Sequence, residues 1–159
     1  MTGRLNIFAA APALLKAWQK AMTDLSMAAN FDPALGELVK LRASQINCCA
    51  NCINLHVLEA KEKGETDQRL FLLPAWREAP GYSDRERAAL AWTEALTRLS
   101  EGDAHTDAYK SLKTHFSDEE QVKLTMTINI INGWNRIAVG FGLFVDAHTI
   151  RSSAKDTTA

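Results

Sequence analysis

Apolar side chains recur every three or four residues through most of this chain, and this period constrains its fold more than any other feature. In the first such segment, residues 12–28, the recurring side chains are Leu14, Leu15, Trp18, Met22 and Leu25. Such spacing places them on one face of an α-helix. Residues 122–131 are rich in isoleucine, valine and threonine, but no repeated strand pattern occurs elsewhere. The sequence therefore predicts an all-α helical bundle.

Capping residues mark where further helices begin. Asp32 is a suitable N-cap and Pro33 fits the first helical position, so we expect a helix over residues 34–45. Another helix should begin at about Cys49 and end near Gly64. Two capping boxes, each a serine followed three residues later by a glutamate, open later helices: Ser83 with Glu86, and Ser117 with Glu120. Short helices are expected over residues 66–72 and 103–115.

The last predicted helix is the most apolar one. From Leu124 to Phe144, apolar side chains occupy nearly every helical face, and a bundle of 159 residues has few places to bury them. We expect this helix to bend near Gly133 or Gly140. Because other helices or neighbouring subunits must cover it, the sequence predicts a homo-oligomer.

Length and charge limit the class of protein. The 159 residues suit one domain, which we place at residues 1–150, and the polar tail at 151–159 should be disordered. Lys and Arg number 18 against 19 Asp and Glu, and no basic stripe occurs that could hold a phosphate backbone. Nucleic acid is therefore not an expected partner.

Neither a secretion signal nor a membrane span is evident in the sequence. The first apolar residues run directly into Lys16 and Lys20 with helical spacing and without a cleavage site. The most apolar stretch, residues 124–145, is interrupted by three asparagines and Arg136. We therefore expect a cytoplasmic protein with no membrane partner.

Three cysteines lie within five positions of the chain. They are Cys48, Cys49 and Cys52, and the chain has no other cysteine with which they could bridge distant segments. A framework of structural disulfides is therefore excluded. Such clustering in a reducing compartment is typical of redox catalysis or of metal binding.

Helical geometry favours the redox alternative. Cys49, Cys52 and His56 fall within about 60° of helix surface, at roughly 100° per residue. The first turn of a helix stabilises a thiolate, and two cysteines three residues apart there can form a disulfide. His56 lies about 6 Å along the axis from Cys52 but about 10 Å from Cys49. This indicates Cys52 as nucleophile, His56 as base and Cys49 as resolving thiol, although in thioredoxin-like chemistry the first cysteine attacks.

A zinc site is the second hypothesis. Cys48, Cys49, Cys52 and His56 together form a Cys3His set, which zinc accepts. Neighbouring cysteines on a helix point about 100° apart, so the four could converge only if Cys48 lies in the preceding turn. A bare pair of cysteines can also be two small buried hydrophobic side chains.

With these residues placed, the sequence resembles a known family. The alkylhydroperoxidase D branch of the carboxymuconolactone decarboxylase family has a glutamate, eleven further residues and then the motif C-x-x-C-x-x-x-H. This chain resembles that pattern, with Glu37, Cys49, Cys52 and His56 at its positions. The flanking segments LGELVKLRASQIN, ERAALAWTEALT and INGWNR match as well. The likeness extends from about residue 8 to residue 146.

The resemblance implies a helical subunit that assembles into trimers or hexamers and reduces alkyl hydroperoxides. Cys52 would attack the peroxide and Cys49 would resolve the intermediate, while Glu37 and His56 would relay the proton. A lipoyl-bearing protein or another dithiol would reduce the disulfide, a peroxiredoxin is a possible further partner, and no cofactor or metal is implied. Relatives without the cysteines leave a redox-inactive oligomer or a decarboxylase-like enzyme as a third alternative.

The chain departs from the family pattern at two positions. Asn51 stands where some members have a second histidine of the proton relay, and Cys48 stands where many have glycine. The INGWNR segment is assigned to helix packing and subunit contact rather than to catalysis.

The environment of Glu37 has two alternatives. It lies opposite the main apolar stripe of its predicted helix, which fits a solvent-exposed side chain. If that helix is covered on both faces, Glu37 is instead a buried carboxylate beside His56, which would raise the basicity of the imidazole and fix its tautomer. We predict the buried arrangement.

Overall fold

Eight α-helices form the part of the chain that the computed structural model describes, residues 4–144. In chain order they are α1 Ile7–Ala10, α2 Pro12–Ala29, α3 Pro33–Ile46, α4 Ala50–Glu62, α5 Asp67–Leu72, α6 Asp84–Thr97, α7 Ala104–His115 and α8 Asp118–Phe141. Single 3₁₀ turns follow α5 and α6, at Leu73–Ala75 and Leu99–Glu101. Residues 4–144 contain no strand, so the predicted all-α fold is confirmed. The predicted domain end at residue 150 and the predicted tail at 151–159 lie outside the described residues.

The helices begin where the sequence predicts because the capping side chains make the expected hydrogen bonds. The Asp32 carboxylate accepts from the backbone N–H groups of Ala34 and Leu35 at 3.0 and 3.1 Å. Both predicted capping boxes are complete, at the starts of α6 and α8. The single-turn helix α1 was not predicted, since it is too short to show a period; the Asn6 side chain caps it.

α3 lies at the centre of the fold. It packs against α4 on one side and against α6 and α8 on the others, and nine of its 14 residues are buried. The helix is therefore covered on both faces. Glu37, which lies on the face opposite the main apolar stripe, is therefore buried as well.

Two apolar clusters lie on either side of α3. One joins α3 and α6 to the segment that follows α5, and its members include Leu38, Leu41, Leu73, Trp76 and Leu90. The other joins α3 to α6, α7 and α8, with Val39, Leu112, Phe116, Leu124 and Ile128. Burial of these side chains, each of which contributes roughly 1.5–3 kcal/mol, fixes the position of α3.

α8 continues without interruption through Gly133 and Gly140 and ends at Phe141, where Gly142 takes the left-handed conformation at φ 65°. Residues 122–131, whose isoleucine, valine and threonine content would also suit a strand, are therefore helical. Gly133 permits close packing of α2, because a Cβ atom there would lie 2.9 Å from the Trp18 ring. No helix within residues 4–144 is long and apolar enough to cross a membrane.

Candidate functional site

The cysteines lie where α3 turns into α4. Asn47 ends α3, Cys48 has a left-handed backbone with φ 52°, and Cys49 is the N-cap of α4. The Sγ atom of Cys49 accepts a hydrogen bond from the backbone N–H of Cys52 at 3.4 Å. A sulfur at this position lies beside the partial positive charge of the helix N-terminus, and this charge stabilises a thiolate.

Cys49 and Cys52 are joined as a disulfide, with their Cα atoms 5.4 Å apart. Both are buried, and they pack with Ala43, Ile131 and Ala138 between α3 and α8. Cys48 is an exposed free thiol that takes no part in this pair. The two cysteines that the sequence singled out as a redox couple are therefore brought together.

His56 is buried one helical turn beyond Cys52. Its Nδ1 atom lies 3.0 Å from Oε2 of Glu37 and 3.2 Å from Oε2 of Glu59. Because an ionised carboxylate can only accept, Nδ1 is the protonated nitrogen. The neutral ring then has its lone pair on Nε2, which is the atom available to take a proton from a thiol.

Glu37 is buried, as predicted, and the exposed alternative is wrong because helices cover both faces of α3. Its Oε1 atom accepts from the ammonium groups of Lys40 at 2.7 Å and Lys63 at 3.0 Å. Burial alone would raise the pKa of Glu37, but the hydrogen bonds from His56 and the two lysines outweigh it and hold that pKa well below its usual range. Glu37 is thus an anion at neutral pH.

A cavity of about 570 Å³ opens beside the disulfide. Cys52, His56 and Glu59 line one wall, and apolar side chains of α2 and α8, among them Met22 and Trp134, line the others. Cys49 is not among the described lining residues. A small organic molecule in this cavity would therefore meet Cys52 before Cys49.

Three asparagines hold the turn that carries the cysteines. The Nδ2 atom of Asn47 donates to Oδ1 of Asn132 at 2.9 Å and to Oδ1 of Asn135 at 2.8 Å. Asn135 in turn donates to Oγ of Ser44 at 3.1 Å. These contacts agree with the packing role predicted for the INGWNR segment.

The Cys3His zinc set of the second hypothesis is not assembled. Cys49 and Cys52 are paired with each other, and Cys48 is exposed. In residues 4–144 the side chains that could share a metal ion are instead Glu37, His56 and Glu59, whose ligand atoms lie within 4.8 Å of one another. Lysine ammonium groups already occupy Oε1 of Glu37, which makes this group a hydrogen-bond network rather than an open metal site.

Sequence reasoning missed three charged members of the network: Lys40, Glu59 and Lys63. The helical period could have found Lys40 and Glu59. Glu59 follows His56 by three residues, and Lys40 follows Glu37 by three, so each pair shares a helix face. Lys63 reaches Glu37 from another helix, which only the packing of α3 against α4 brings about.

Comparison with known proteins identifies relatives of this chain. The model of the carboxymuconolactone decarboxylase family matches residues 12–95, just over half of the chain. The uncharacterized protein YdfG of Bacillus subtilis is 35% identical over 142 residues, which cover 89% of this chain and 96% of YdfG.

Solved structures agree. ATU0492 of Agrobacterium tumefaciens, a protein of unknown function named as a candidate antioxidant defence protein AhpD, is 43% identical with a TM-score of 0.83, covering 89% of this chain and 96% of its own. The debrominase Bmp8 has a TM-score of 0.74 at 20% identity, covering 88% of this chain and 75% of its own, and shows the shared fold alone. The resemblance to alkylhydroperoxidase D is confirmed, and the chain belongs to the carboxymuconolactone decarboxylase family.

Proposed function

We propose that this protein is a thiol-dependent peroxidase that reduces alkyl hydroperoxides through Cys49 and Cys52. The observation that carries the proposal is the shared cavity. Cys52, the histidine that can deprotonate it and an apolar wall face the same space, while the second cysteine lies behind, bonded to the first. The relationship to a candidate antioxidant defence protein supports the same chemistry.

The oxidative half of the reaction begins with the reduced cysteines. The thiol of Cys52 gives its proton to Nε2 of His56, and the thiolate attacks the distal oxygen of the hydroperoxide. The O–O bond breaks, the alkoxide takes the proton from Nε2 and leaves as an alcohol, and Cys52 becomes a sulfenic acid. The thiol of Cys49 then displaces hydroxide, which leaves as water with the thiol proton, and the disulfide forms.

The reductive half requires a dithiol of low molecular weight or on a partner protein, such as a lipoyl group. One of its sulfurs attacks the sulfur of Cys52, the cysteine that lines the cavity, and the S–S bond breaks with Cys49 as the leaving thiolate. The N–H of Cys52 and the start of α4 stabilise that thiolate. The second sulfur of the dithiol then releases Cys52, so that the dithiol is oxidised to its own disulfide.

A thiol count tests the proposal. The chain has three cysteines, so the fully reduced protein has three thiols. After one equivalent of cumene hydroperoxide we expect one thiol, which peptide mapping should assign to Cys48, and metal analysis of the same sample should find no stoichiometric zinc. Three remaining thiols in the folded protein, or bound zinc lost on replacement of Cys48, would overturn the proposal.

Single substitutions then separate the roles of the site residues. Cys52→Ser should abolish turnover of cumene hydroperoxide with dithiothreitol as reductant. His56→Ala and Glu37→Gln should each lower it by roughly 10²-fold, which is typical of general acid–base assistance. Glu62→Gln serves as the control, because Glu62 is an exposed carboxylate of α4, the helix that also carries Cys52 and His56. An active Cys52→Ser variant beside an inactive Cys49→Ser variant would exchange the roles of the two cysteines.

A further inference from the structure

The Nδ1 atom of His56 faces two carboxylates with different surroundings. Glu37 is buried and shares its charge with Lys40 and Lys63, both within 3.0 Å of its Oε1 atom. Glu59 lies on the cavity side, with 36% of its side chain exposed. Its Oε2 atom is 3.2 Å from Nδ1 and 3.7 Å from the Lys40 ammonium.

These surroundings assign different electrostatic roles to the two carboxylates. Two ammonium groups at hydrogen-bond distance neutralise most of the field that Glu37 exerts on the imidazole. Glu59 has no lysine at hydrogen-bond distance among the described residues, since the Lys40 ammonium is 3.7 Å away, and it therefore keeps more of its charge available to His56. A carboxylate in contact with an imidazole favours the protonated form of the ring.

We propose that Glu59 is a positioning residue for His56: it stabilises the protonated imidazole and thereby the thiolate of Cys52. This rests on the proposed function, in which His56 receives the Cys52 proton. When that proton reaches Nε2, the ring becomes a cation, and Glu59 is the partner of Nδ1 whose negative charge is least shared. Glu59 touches neither cysteine and acts through His56 alone.

The charged groups that face Glu59 are few. They are Glu37 and Lys40 from α3, His56 from α4 and Lys63 at the C-cap of α4; the Glu37 carboxylate lies within 4.8 Å of that of Glu59. The other elements around the cavity, α2 and α8, contribute only uncharged residues to its described lining, among them Gln19, Ser26, Ile130 and Trp134. The formation of the Cys52 thiolate should accordingly follow the charge on Glu59.

The test titrates the Cys52 thiolate directly. In a Cys48→Ser, Cys49→Ser background, Cys52 is the single thiol of the full chain, and serine can replace Cys49 as N-cap. Its ionisation is followed by thiolate absorbance at 240 nm and by the rate of alkylation with iodoacetamide between pH 4 and pH 10. Glu59→Gln should move the midpoint upward by about 0.5 to 1 pH unit, as expected for the loss of a partly exposed charge partner.

Two further variants make the result specific. Glu59→Asp keeps the charge and should recover part of the shift, whereas Glu62→Gln removes a charge from the exposed face of the same helix and should leave the midpoint unchanged. Overlapping curves for Glu59→Gln and its parent, or equal shifts in Glu59→Gln and Glu62→Gln, would overturn the inference.

The titration is independent of peroxide turnover. If the native protein does not turn over peroxide, the proposed function is rejected. The thiolate titration curves alone decide the role of Glu59. Circular dichroism of each variant verifies that the helices are intact. If Glu59→Gln does not fold, Glu59→Asp provides the second measurement.

Discussion

At the residue scale, Glu37 has the most heavily bonded side chain of the described site. Its two oxygens accept from one imidazole and two ammonium groups, although the side chain is 4% exposed. A buried carboxylate without such donors would be protonated at neutral pH or would destabilise the fold. The hydrogen bonds therefore make Glu37 both a structural anion and the orienting partner of His56.

This arrangement predicts a contribution of Glu37 to acid stability. Its pKa is depressed in the folded protein, so its stabilisation is complete above the usual glutamate pKa and is lost as the pH falls towards the folded value. The free energy of unfolding of both proteins should fall when the pH is lowered from 5.5 to 3.5, a range below the usual titration of histidine. The decrease should be about 1 kcal/mol smaller for Glu37→Gln than for the native protein. Urea unfolding at both values measures this.

Glu86 and Glu94 also have lowered pKa values, and the comparison of the two proteins cancels their contribution because both proteins contain them. Glu62→Gln provides a second reference, because its side chain is exposed. The same loss of stability in native protein and Glu37→Gln would show that the Glu37 network does not hold in solution.

At the element scale, the turn between α3 and α4 is held from outside, by α8. Asn47 donates to Asn132 and Asn135, and Asn135 also binds Ser44 in α3. Asn135 is fully buried, so its amide group has no access to water as an alternative partner. The position of the cysteines therefore depends on a helix whose own residues do not react.

Replacement of Asn135, which binds both Asn47 and Ser44, should weaken both the fold and the site. Asn135→Ala leaves Asn47 and Ser44 with one hydrogen bond fewer each, at a cost of about 1–3 kcal/mol for buried polar groups. Asn129→Ala, an exposed position on the same helix, should change stability by no more than about 0.5 kcal/mol. Chemical denaturation of both variants measures the difference; equal losses of stability would contradict the anchoring role of Asn135, because alanine has the higher helix propensity at both positions.

The elements also show how far the sequence alone could lead. Helix starts were predictable because Asp32, Ser83 and Ser117 act locally, within three residues of their own position. The shared face of Cys49, Cys52 and His56 likewise follows from one helical period. The contact between Lys63 and Glu37 joins two helices, and no local pattern encodes the packing that creates it.

At the scale of the whole molecule, apolar surface remains uncovered in the single subunit. Leu14 and Met27 on α2 are 69% and 73% exposed, and Val139 and Phe141 on α8 are 45% and 36% exposed. An almost wholly apolar cavity of about 330 Å³ lies where the two helices meet, lined by Leu14 and Phe141 among others. Soluble monomers rarely leave large continuous apolar patches in water.

We therefore expect a homo-oligomer that buries this surface of α2 and α8. Light scattering should give a mass that is a multiple of 17.6 kDa at micromolar concentration. Leu14→Glu should shift the population towards the monomer, because a charge buried in an apolar contact is strongly unfavourable, while its exposed position leaves the subunit fold intact. Phe71→Glu, which changes an 80% exposed side chain on α5, should keep the native mass. A native protein that is a monodisperse monomer would contradict the prediction, since the exposed faces of α2 and α8 would then be stable in water.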